Sequence, residues 1–149
     1  MKQVIIYLDN CCFNRPYDDQ SHLSVNLETE AKLAIQELIN DNKLNLVWSF
    51  ILDFENNANP DEIIRDEIFL WRIKASSIIF NNGNIINTGK KLKDLGFSNK
   101  DSLHIASAIE GKADYFITVD KKILSRRHHV KELLILSPID FITLLEDLK

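Results

Sequence analysis

Two kinds of hydrophobic pattern alternate along the chain. Short apolar runs rich in β-branched and aromatic residues predict buried strands, and runs with an apolar residue every three or four positions predict helices. The predicted strands are residues 4–8, 44–49, 115–119 and 133–136, and residues 78–80 fit either a short strand or a helix end. The predicted helices are residues 23–40, 61–75, 85–95, 99–110, 121–126 and 139–148, with a further helix that starts after Ser49 and is ended or interrupted by Pro60. Residues 9–21, rich in Asp, Asn and Pro, predict a loop.

This alternation of strands and helices predicts an α/β fold, a three-layer α/β/α sandwich with a central, mostly parallel sheet. The chain has 149 residues, of which 45% are hydrophobic. A domain of this size buries roughly 70% of the surface that its unfolded chain exposes. No internal repeat and no shift in composition marks a boundary, so we expect residues 1–149 to form a single domain.

Charge and composition narrow the class of protein. The net charge of −4 argues against a protein that coats nucleic acid with positive surface, although a local basic rim can still attract phosphates. No apolar run approaches the ~20 residues of a membrane span, and the N-terminus lacks the pattern of a secretory signal. The two cysteines, Cys11 and Cys12, are adjacent, and no zinc ligand set is present. We therefore expect a cytoplasmic protein with no membrane partner.

Carboxylates recur at one edge of the predicted sheet. Asp9 directly follows the first strand and Asp120 directly follows the strand at 115–119. Glu55 lies in the helix after the second strand, and Asp101 lies in the first turn of the helix that begins near Ser98. The carboxyl ends of parallel strands and the helix N-termini meet at the edge where ligands bind. The four acids can therefore converge, and clustered carboxylates are the ligands that a hard divalent cation prefers.

Each acid alone also has a structural explanation. Asp9 and Asp120 can be turn formers or helix N-caps, Asp101 can complement a helix dipole, and Glu55 can be a solvated helix residue. Four unrelated residues need not share one edge, however. Packed carboxylates also repel one another unless a cation neutralises them. The joint pattern therefore favours a metal site.

Four segments carry a family resemblance: the strand ending in Asp9, Ser49 followed by Glu55, residues 99–108 (NKDSLHIASA) and residues 113–120 (ADYFITVD). In order and spacing they resemble the PIN-domain family of metal-dependent ribonucleases, which includes many toxins of type II toxin–antitoxin pairs. The resemblance covers nearly the whole chain. It implies an endoribonuclease that binds Mg²⁺ or Mn²⁺, an antitoxin partner and, in many members, a homodimer.

The resemblance also implies roles for single residues. Asp9, Glu55, Asp101 and Asp120 match the acidic quartet that binds the metal, and Thr118 matches a residue that hydrogen-bonds near it. Asn10 stands where many members carry Ser or Thr, and its amide can donate a hydrogen bond in the same way. The position of Glu55 is contested by Asp53 and by Glu30, which is either a fifth acidic member or an exposed charge.

Basic residues near these acids are candidates for contacts with RNA phosphates. They are Arg15, Lys100, Lys121 and Lys122, and the run 126–131 is a second candidate rim. Such lysines can equally offset the acids or simply be solvated. A helix-packing role for His104 and a bystander role for both thiols are favoured over catalysis. The helix segment 69–73 fits core packing at least as well as a partner interface.

Two other functions compete with the nuclease. A phosphotransferase of the haloacid-dehalogenase type needs a second aspartate two residues after the nucleophile, where this chain has Cys11, and a receiver domain needs an acidic pair ahead of Asp9, which is missing. The alternative from another class is a catalytically silent PIN-like module that binds RNA or protein.

Overall fold

Five parallel strands form the centre of the protein, whose structure is a computed structural model describing residues 3–147. The strands are β1 (Val4–Leu8), β2 (Leu44–Ser49), β3 (Ser77–Ile79), β4 (Tyr115–Ile117) and β5 (Leu134–Leu136). Their order in the sheet is β3-β2-β1-β4-β5, and every neighbouring pair is parallel. The predicted α/β fold is confirmed, and the described sheet is parallel throughout rather than mostly so.

Helices flank this sheet. They are α1 (Asn10–Asn14), α2 (Leu23–Asn40), α3 (Phe50–Asn57), α4 (Glu62–Lys74), α5 (Gly83–Asp94), α6 (Asn99–Glu110), α7 (Lys121–Ser125) and α8 (Pro138–Asp147), with 3₁₀ turns at Arg15–Tyr17 and Arg127–His129. Side-chain oxygens of Ser49, Asp61, Asn82 and Ser98 accept backbone N–H groups at the starts of α3 to α6. These caps satisfy donors that have no partner within the helix, which fixes where each helix begins. The predicted end of the last helix, at residue 148, lies outside the described residues.

The central strands are buried on both faces, as helices on both sides of a parallel sheet require. Ile6, Tyr7 and Leu8 of β1 are fully buried, and so are the inner residues of β2, including Trp48. No helix in the described part of the chain is long and apolar enough to cross a membrane.

The predicted loop at residues 9–21 is wrong for its first half, which forms α1 and a 3₁₀ turn. Asp9 caps α1 by accepting the N–H of Asn10. Cys12 and Phe13 are fully buried, and the Phe13 ring packs 5.4 Å, between ring centroids, from Trp48. Polar composition predicted a loop here, but burial of two side chains against the sheet stabilises a helix.

Strand β4 ends two residues earlier than predicted, at Ile117. The backbone then turns, and the N–H of Asp120 donates to Thr118 Oγ1 over 3.0 Å. Asp120 therefore sits three residues beyond the strand, at the N-cap of α7, and does not follow the strand directly.

Gly111, at the end of α6, lies where the helix packs closely on the sheet, and a substitution there tests how close that packing is. A Cβ atom there would lie 2.7 Å from Val47 Cγ1 and 3.1 Å from its Cγ2, while the φ of −76° imposes no backbone strain. We expect Gly111→Ala to lower the free energy of unfolding by about 1–3 kcal/mol, the usual cost of overpacking, as measured by urea denaturation. Gly83→Ala is the matched control, because a Cβ at Gly83 meets nothing within 4 Å. Equal losses in the two variants would contradict the steric explanation.

Candidate metal centre

The candidate site lies where the strand order of the sheet reverses. The chain runs from β1 to β2 and β3 on one side, and β4 and β5 lie on the other, so the switch point falls between β1 and β4. Open parallel sheets bind ligands at such a point. Asp9 follows β1 there, and its backbone N–H donates to the carbonyl of Ile117 at the end of β4 over 2.9 Å. Asp9 and Asp120 begin the neighbouring helices α1 and α7 as their N-caps.

All four predicted acids line one pocket of about 340 Å³ at this point. Its walls are formed by Asp9, Asn10, Cys11, Asn14, Asp18, Glu55, Lys100, Asp101 and Asp120. The carboxylates come from four different places in the sequence: the end of β1, helices α3 and α6, and the N-cap of α7. Folding therefore brings together residues up to 111 positions apart (120 − 9).

Asp9 is the most buried of the four acids. Its side chain is buried, with a relative exposure of 6% for the residue. Thr118 Oγ1 donates to Asp9 Oδ2 over 2.7 Å, and the N–H of Asn10 donates to Oδ1 over 2.8 Å. The Cys11 thiol lies 3.5 Å from the same Oδ2. These donors orient the carboxylate, and Thr118, which is fully buried, acts through Asp9.

A buried series of hydrogen-bonded side chains, which was not predicted from the sequence, supports Glu55. His104 Nε2 hydrogen-bonds Glu55 Oε1, and His104 Nδ1 lies 2.7 Å from the hydroxyl of Tyr7. The Tyr7 hydroxyl lies 2.6 Å from Ser49 Oγ, and Ser49 caps the helix that carries Glu55. His104 is therefore more than a packing residue. The signal available in the sequence was its spacing three residues after Asp101, which puts both on one helix face.

The electrostatics of this pair favour an ion pair. Burial raises the pKa of Glu55, but the hydrogen bond and charge of His104, with the charge of Lys100 and a hydrogen bond from Asn10, outweigh it and lower that pKa overall. For His104, burial lowers the pKa, and the hydrogen bond to Glu55 with the charges of Asp9, Glu55 and Asp101 raises it overall. Each partner thus stabilises the charged form of the other.

The pKa of Asp101 is shifted in the opposite direction to that of Glu55. Its pKa is raised, first by partial burial and also by the charges of Asp9 and Asp120, against a lowering contribution from Ser98 and His104. Burial and the two neighbouring carboxylates both favour the neutral form of Asp101.

The donor set fits a hard divalent cation in its chemistry, because carboxylate oxygens dominate the pocket. Among residues 3–147, however, no three His, Cys, Asp or Glu side chains are already arranged as a metal-binding group. Glu55 is turned towards His104, and Asp9 towards Thr118. The chemistry of the lining residues fits a metal, although Glu55 and Asp9 are hydrogen-bonded to protein side chains in this arrangement.

The other predicted residues take different positions. Lys100 is exposed at the pocket rim, with its Nζ 5.9 Å from the centre of the Phe54 ring. Lys121 is exposed outside the lining residues. Arg15 is held by ion pairs to Asp18, at 3.0 Å, and to Glu28, at 3.4 Å.

The two acids that compete with Glu55 lie elsewhere. Asp53 accepts hydrogen bonds from Trp48 Nε1 over 2.8 Å and from Arg72 Nε over 3.1 Å, which gives it a structural role. Glu30 is exposed on α2 and is not among the residues that line the pocket.

Comparisons with known proteins find similarity at the level of structure. No protein-family model matches the sequence, and no curated protein matches it significantly. A chain of VapBC2 from Rickettsia felis, in a crystal structure bound to a DNA fragment from their promoter, is 14% identical with a TM-score of 0.58, over 89% of this chain and 97% of that one. A chain of VapBC-1 from nontypeable Haemophilus influenzae is 20% identical with a TM-score of 0.60, over 91% and 98%. Identities this low establish the fold alone, and that fold is the PIN-domain fold that the sequence resembles.

Proposed function

We propose that this protein is a divalent-metal-dependent endoribonuclease that acts as the toxin of a toxin–antitoxin pair in the cytoplasm. The observation that carries the proposal is the pocket at the topological switch point, which is lined by Asp9, Glu55, Asp101 and Asp120. The likeness of the whole fold to chains of VapBC complexes supports the toxin role.

In this proposal the four carboxylates hold Mg²⁺ or Mn²⁺. A bound cation would supply the positive charge that polarises a phosphodiester oxygen and would lower the pKa of a water for hydrolysis. Thr118 and the backbone of Asn10 keep Asp9 oriented. The ion pair with His104 keeps Glu55 charged at the pocket wall.

Substrate contacts fall to the basic and amide groups around the pocket. Lys100 and Lys121 are exposed and offer positive charge to RNA phosphates, and the amide of Asn10 lies at the pocket wall, 3.4 Å from Glu55 Oε2. Arg15 must exchange its partners Asp18 and Glu28 before it can reach a phosphate. Lys100 and Lys121 are therefore the stronger candidates of the three.

An antitoxin protein is the proposed partner, and a second copy of the chain is a further one. Helix α4 offers an apolar surface for either, since Phe69, Leu70 and Ile73 are 43%, 55% and 71% exposed. Core packing, the alternative for segment 69–73, applies to Trp71, which is half-buried and packs against the core.

The test is RNA cleavage by the purified full chain with and without metal. We expect cleavage of RNA in Mg²⁺ or Mn²⁺, loss of cleavage to background in excess EDTA, and recovery when the metal is restored. Gel mapping of cut sites on total RNA measures all three. Cleavage that EDTA leaves unchanged would overturn the metal mechanism. Binding of RNA without any cleavage, across a broad panel and with both metals, would favour the silent binding module.

A further inference from the structure

A second pocket adjoins the candidate metal centre. It has a volume of about 260 Å³ and is lined by Gly96, Phe97, Ser98, Asp101, Lys122 and Arg126. Asp101 lines both pockets, so the two cavities share a wall. The first pocket is dominated by carboxylates, whereas this one carries two cations.

The two cations of this pocket lack acidic partners. Within residues 3–147, no carboxylate lies within the 4.0 Å ion-pair distance of Lys122 or Arg126. Three other arginines, Arg15, Arg72 and Arg127, are each ion-paired. Lys122 and Arg126 are four residues apart at α7 and its C-cap, a spacing that puts them on one helix face. Their charges are therefore available to an anion.

The absence of a side chain at Gly96 lets the Arg126 side chain lie close to the backbone. A Cβ atom on this residue would lie 2.7 Å from Arg126 Nε, so the arginine side chain rests directly on the backbone. The φ of Gly96 is +104°, in the left-handed region that favours glycine. Packing against the backbone limits the freedom of the arginine before any ligand binds, and less conformational entropy is then lost on binding.

Hydrogen bonds also connect residues of this pocket to Asp120 and Asp101, two of the proposed metal ligands. The carboxylate of Asp120 accepts the N–H of Lys122 over 2.8 Å, and Lys122 belongs to the helix that Asp120 caps. Ser98 Oγ accepts the N–H of Asp101 at the start of α6 over 3.2 Å. The first connection fixes the backbone of Lys122 relative to Asp120, and the second fixes Ser98, a lining residue of this pocket, relative to Asp101.

We propose that this pocket binds the RNA phosphate next to the one that is cut, with Arg126 and Lys122 as its ligands. The inference rests on the proposed ribonuclease function and assigns it a substrate subsite. A guanidinium fork matches two phosphate oxygens, and an ammonium adds a point charge. Because RNA carries a phosphate at every nucleotide, a strand whose scissile phosphate lies among the acids can present its neighbour across the wall formed by Asp101. Lys121, which lies outside both pockets, then contributes less than Lys122.

RNA binding measured separately from cleavage tests the subsite. The full chain carrying Asp9→Asn, in Mg²⁺, serves as the parent, and a fluorescently labelled single-stranded RNA reports the Kd by anisotropy at several salt concentrations. We expect Lys122→Gln and Arg126→Gln each to weaken binding about 3–10-fold and to reduce the slope of log Kd against log salt by about 0.7, the value for one phosphate contact to a single strand. Arg126→Lys should keep the slope and lose part of the affinity, because it retains the charge without the fork.

Arg127→Gln is the matched control, since Arg127 is also exposed but lies outside this pocket. It should leave the slope unchanged. Unchanged slopes in both Lys122→Gln and Arg126→Gln, or no RNA binding by the parent, would overturn the subsite. Wild-type cleavage assayed in parallel reports on the nuclease alone. If the wild type cleaves RNA and the salt slopes of Lys122→Gln and Arg126→Gln are unchanged, the protein is a nuclease without this subsite. If the slopes fall and the wild type does not cleave, the pocket binds RNA but the protein is not a nuclease.

Discussion

Asp9→Asn is expected to lower the rate of RNA cleavage by about 10²–10³-fold, because metal catalysis contributes several kcal/mol and each 1.36 kcal/mol is a factor of ten. The substitution removes the negative charge and keeps the shape of the side chain. An asparagine can still accept the hydrogen bond that the Asn10 N–H gives to Asp9 Oδ1, and the hydroxyl of Thr118 can rotate to accept from the new amide. The loss therefore reports on charge in the pocket rather than on folding.

Asp53→Asn provides the matched control for that experiment. Asp53 is the competing acid in the same region, and it is engaged by Trp48 and Arg72. We expect the variant to lose some stability and to keep its cleavage rate per folded molecule. Single-turnover cleavage in Mg²⁺, with folding checked by circular dichroism, measures both variants. Cleavage by Asp9→Asn within threefold of the wild type would contradict the metal role of Asp9.

Much of the fold could be predicted because hydrophobic period and capping residues agree. The run 4–8 has the length and composition of a buried strand, and the α6 pattern starts at a capping serine and stops at Gly111. The error at residues 9–21 has a different origin. Asp, Asn and Pro favour turns locally, but Phe13 gains more from burial against Trp48 than the sequence of that segment reveals.

The convergence of the acids depends on strand order, which the sequence alone does not fix. Asp9 and Asp120 meet because β1 and β4 are neighbours, although Leu8 and Asp114, the residue just before β4, are 106 positions apart in the sequence. The structural explanation and the metal hypothesis also turn out to be compatible. Both aspartates cap helices, with one oxygen on a backbone N–H, and a carboxylate has further lone pairs for a cation.

The contacts of His104 could not be predicted from the sequence for a related reason. Its partners Tyr7, Ser49 and Glu55 come from three other elements, and a series of hydrogen-bonded side chains of this kind is visible only when all of them are in place. The same holds for the second pocket, next to the candidate metal centre. Arg126 belongs to a charge run that is usually solvated. Its place in the second pocket, against Gly96, distinguishes it from Arg127, which pairs with Asp140.

Lys32 is the other charged group whose environment the sequence conceals. It lies on α2 beneath α1 and is only 3% exposed. Its Nζ is 5.5 Å from the centre of the Phe13 ring and 5.9 Å from that of Trp71. With the Gln36 amide oriented to accept from Trp71 Nε1 over 3.0 Å, its oxygen also accepts from Lys32. No carboxylate within residues 3–147 pairs with this ammonium.

Burial therefore lowers the pKa of Lys32 from 10.5 to about 8, against a smaller raising contribution from Cys12. Between these two values the unfolded chain binds a proton that the folded protein has released. Stability from this group then rises with pH across that range, by up to about 3 kcal/mol. Tyr7, whose pKa is raised by burial, and Cys11, whose pKa is raised by its contact with Cys12 and by burial, act in the opposite direction. The contribution of Lys32 is therefore isolated by the difference in the free energy of unfolding between the wild type and a variant that lacks this lysine.

Lys32→Met is expected to raise the free energy of unfolding at pH 7, because it replaces a desolvated charge by an apolar chain of similar length that packs well on aromatic rings. Its advantage over the wild type should be constant below about pH 8 and should shrink by about 3 kcal/mol as pH approaches 10.5, where the wild-type lysine is neutral in both states. Urea denaturation of both proteins from pH 6 to pH 10 measures this difference. Lys90→Met removes an exposed lysine of α5 and gives the baseline. If the gain in unfolding free energy from Lys32→Met is the same at every pH, the Lys32 ammonium is solvated or paired. Helix α1, which follows Asp9, would then pack over it only loosely.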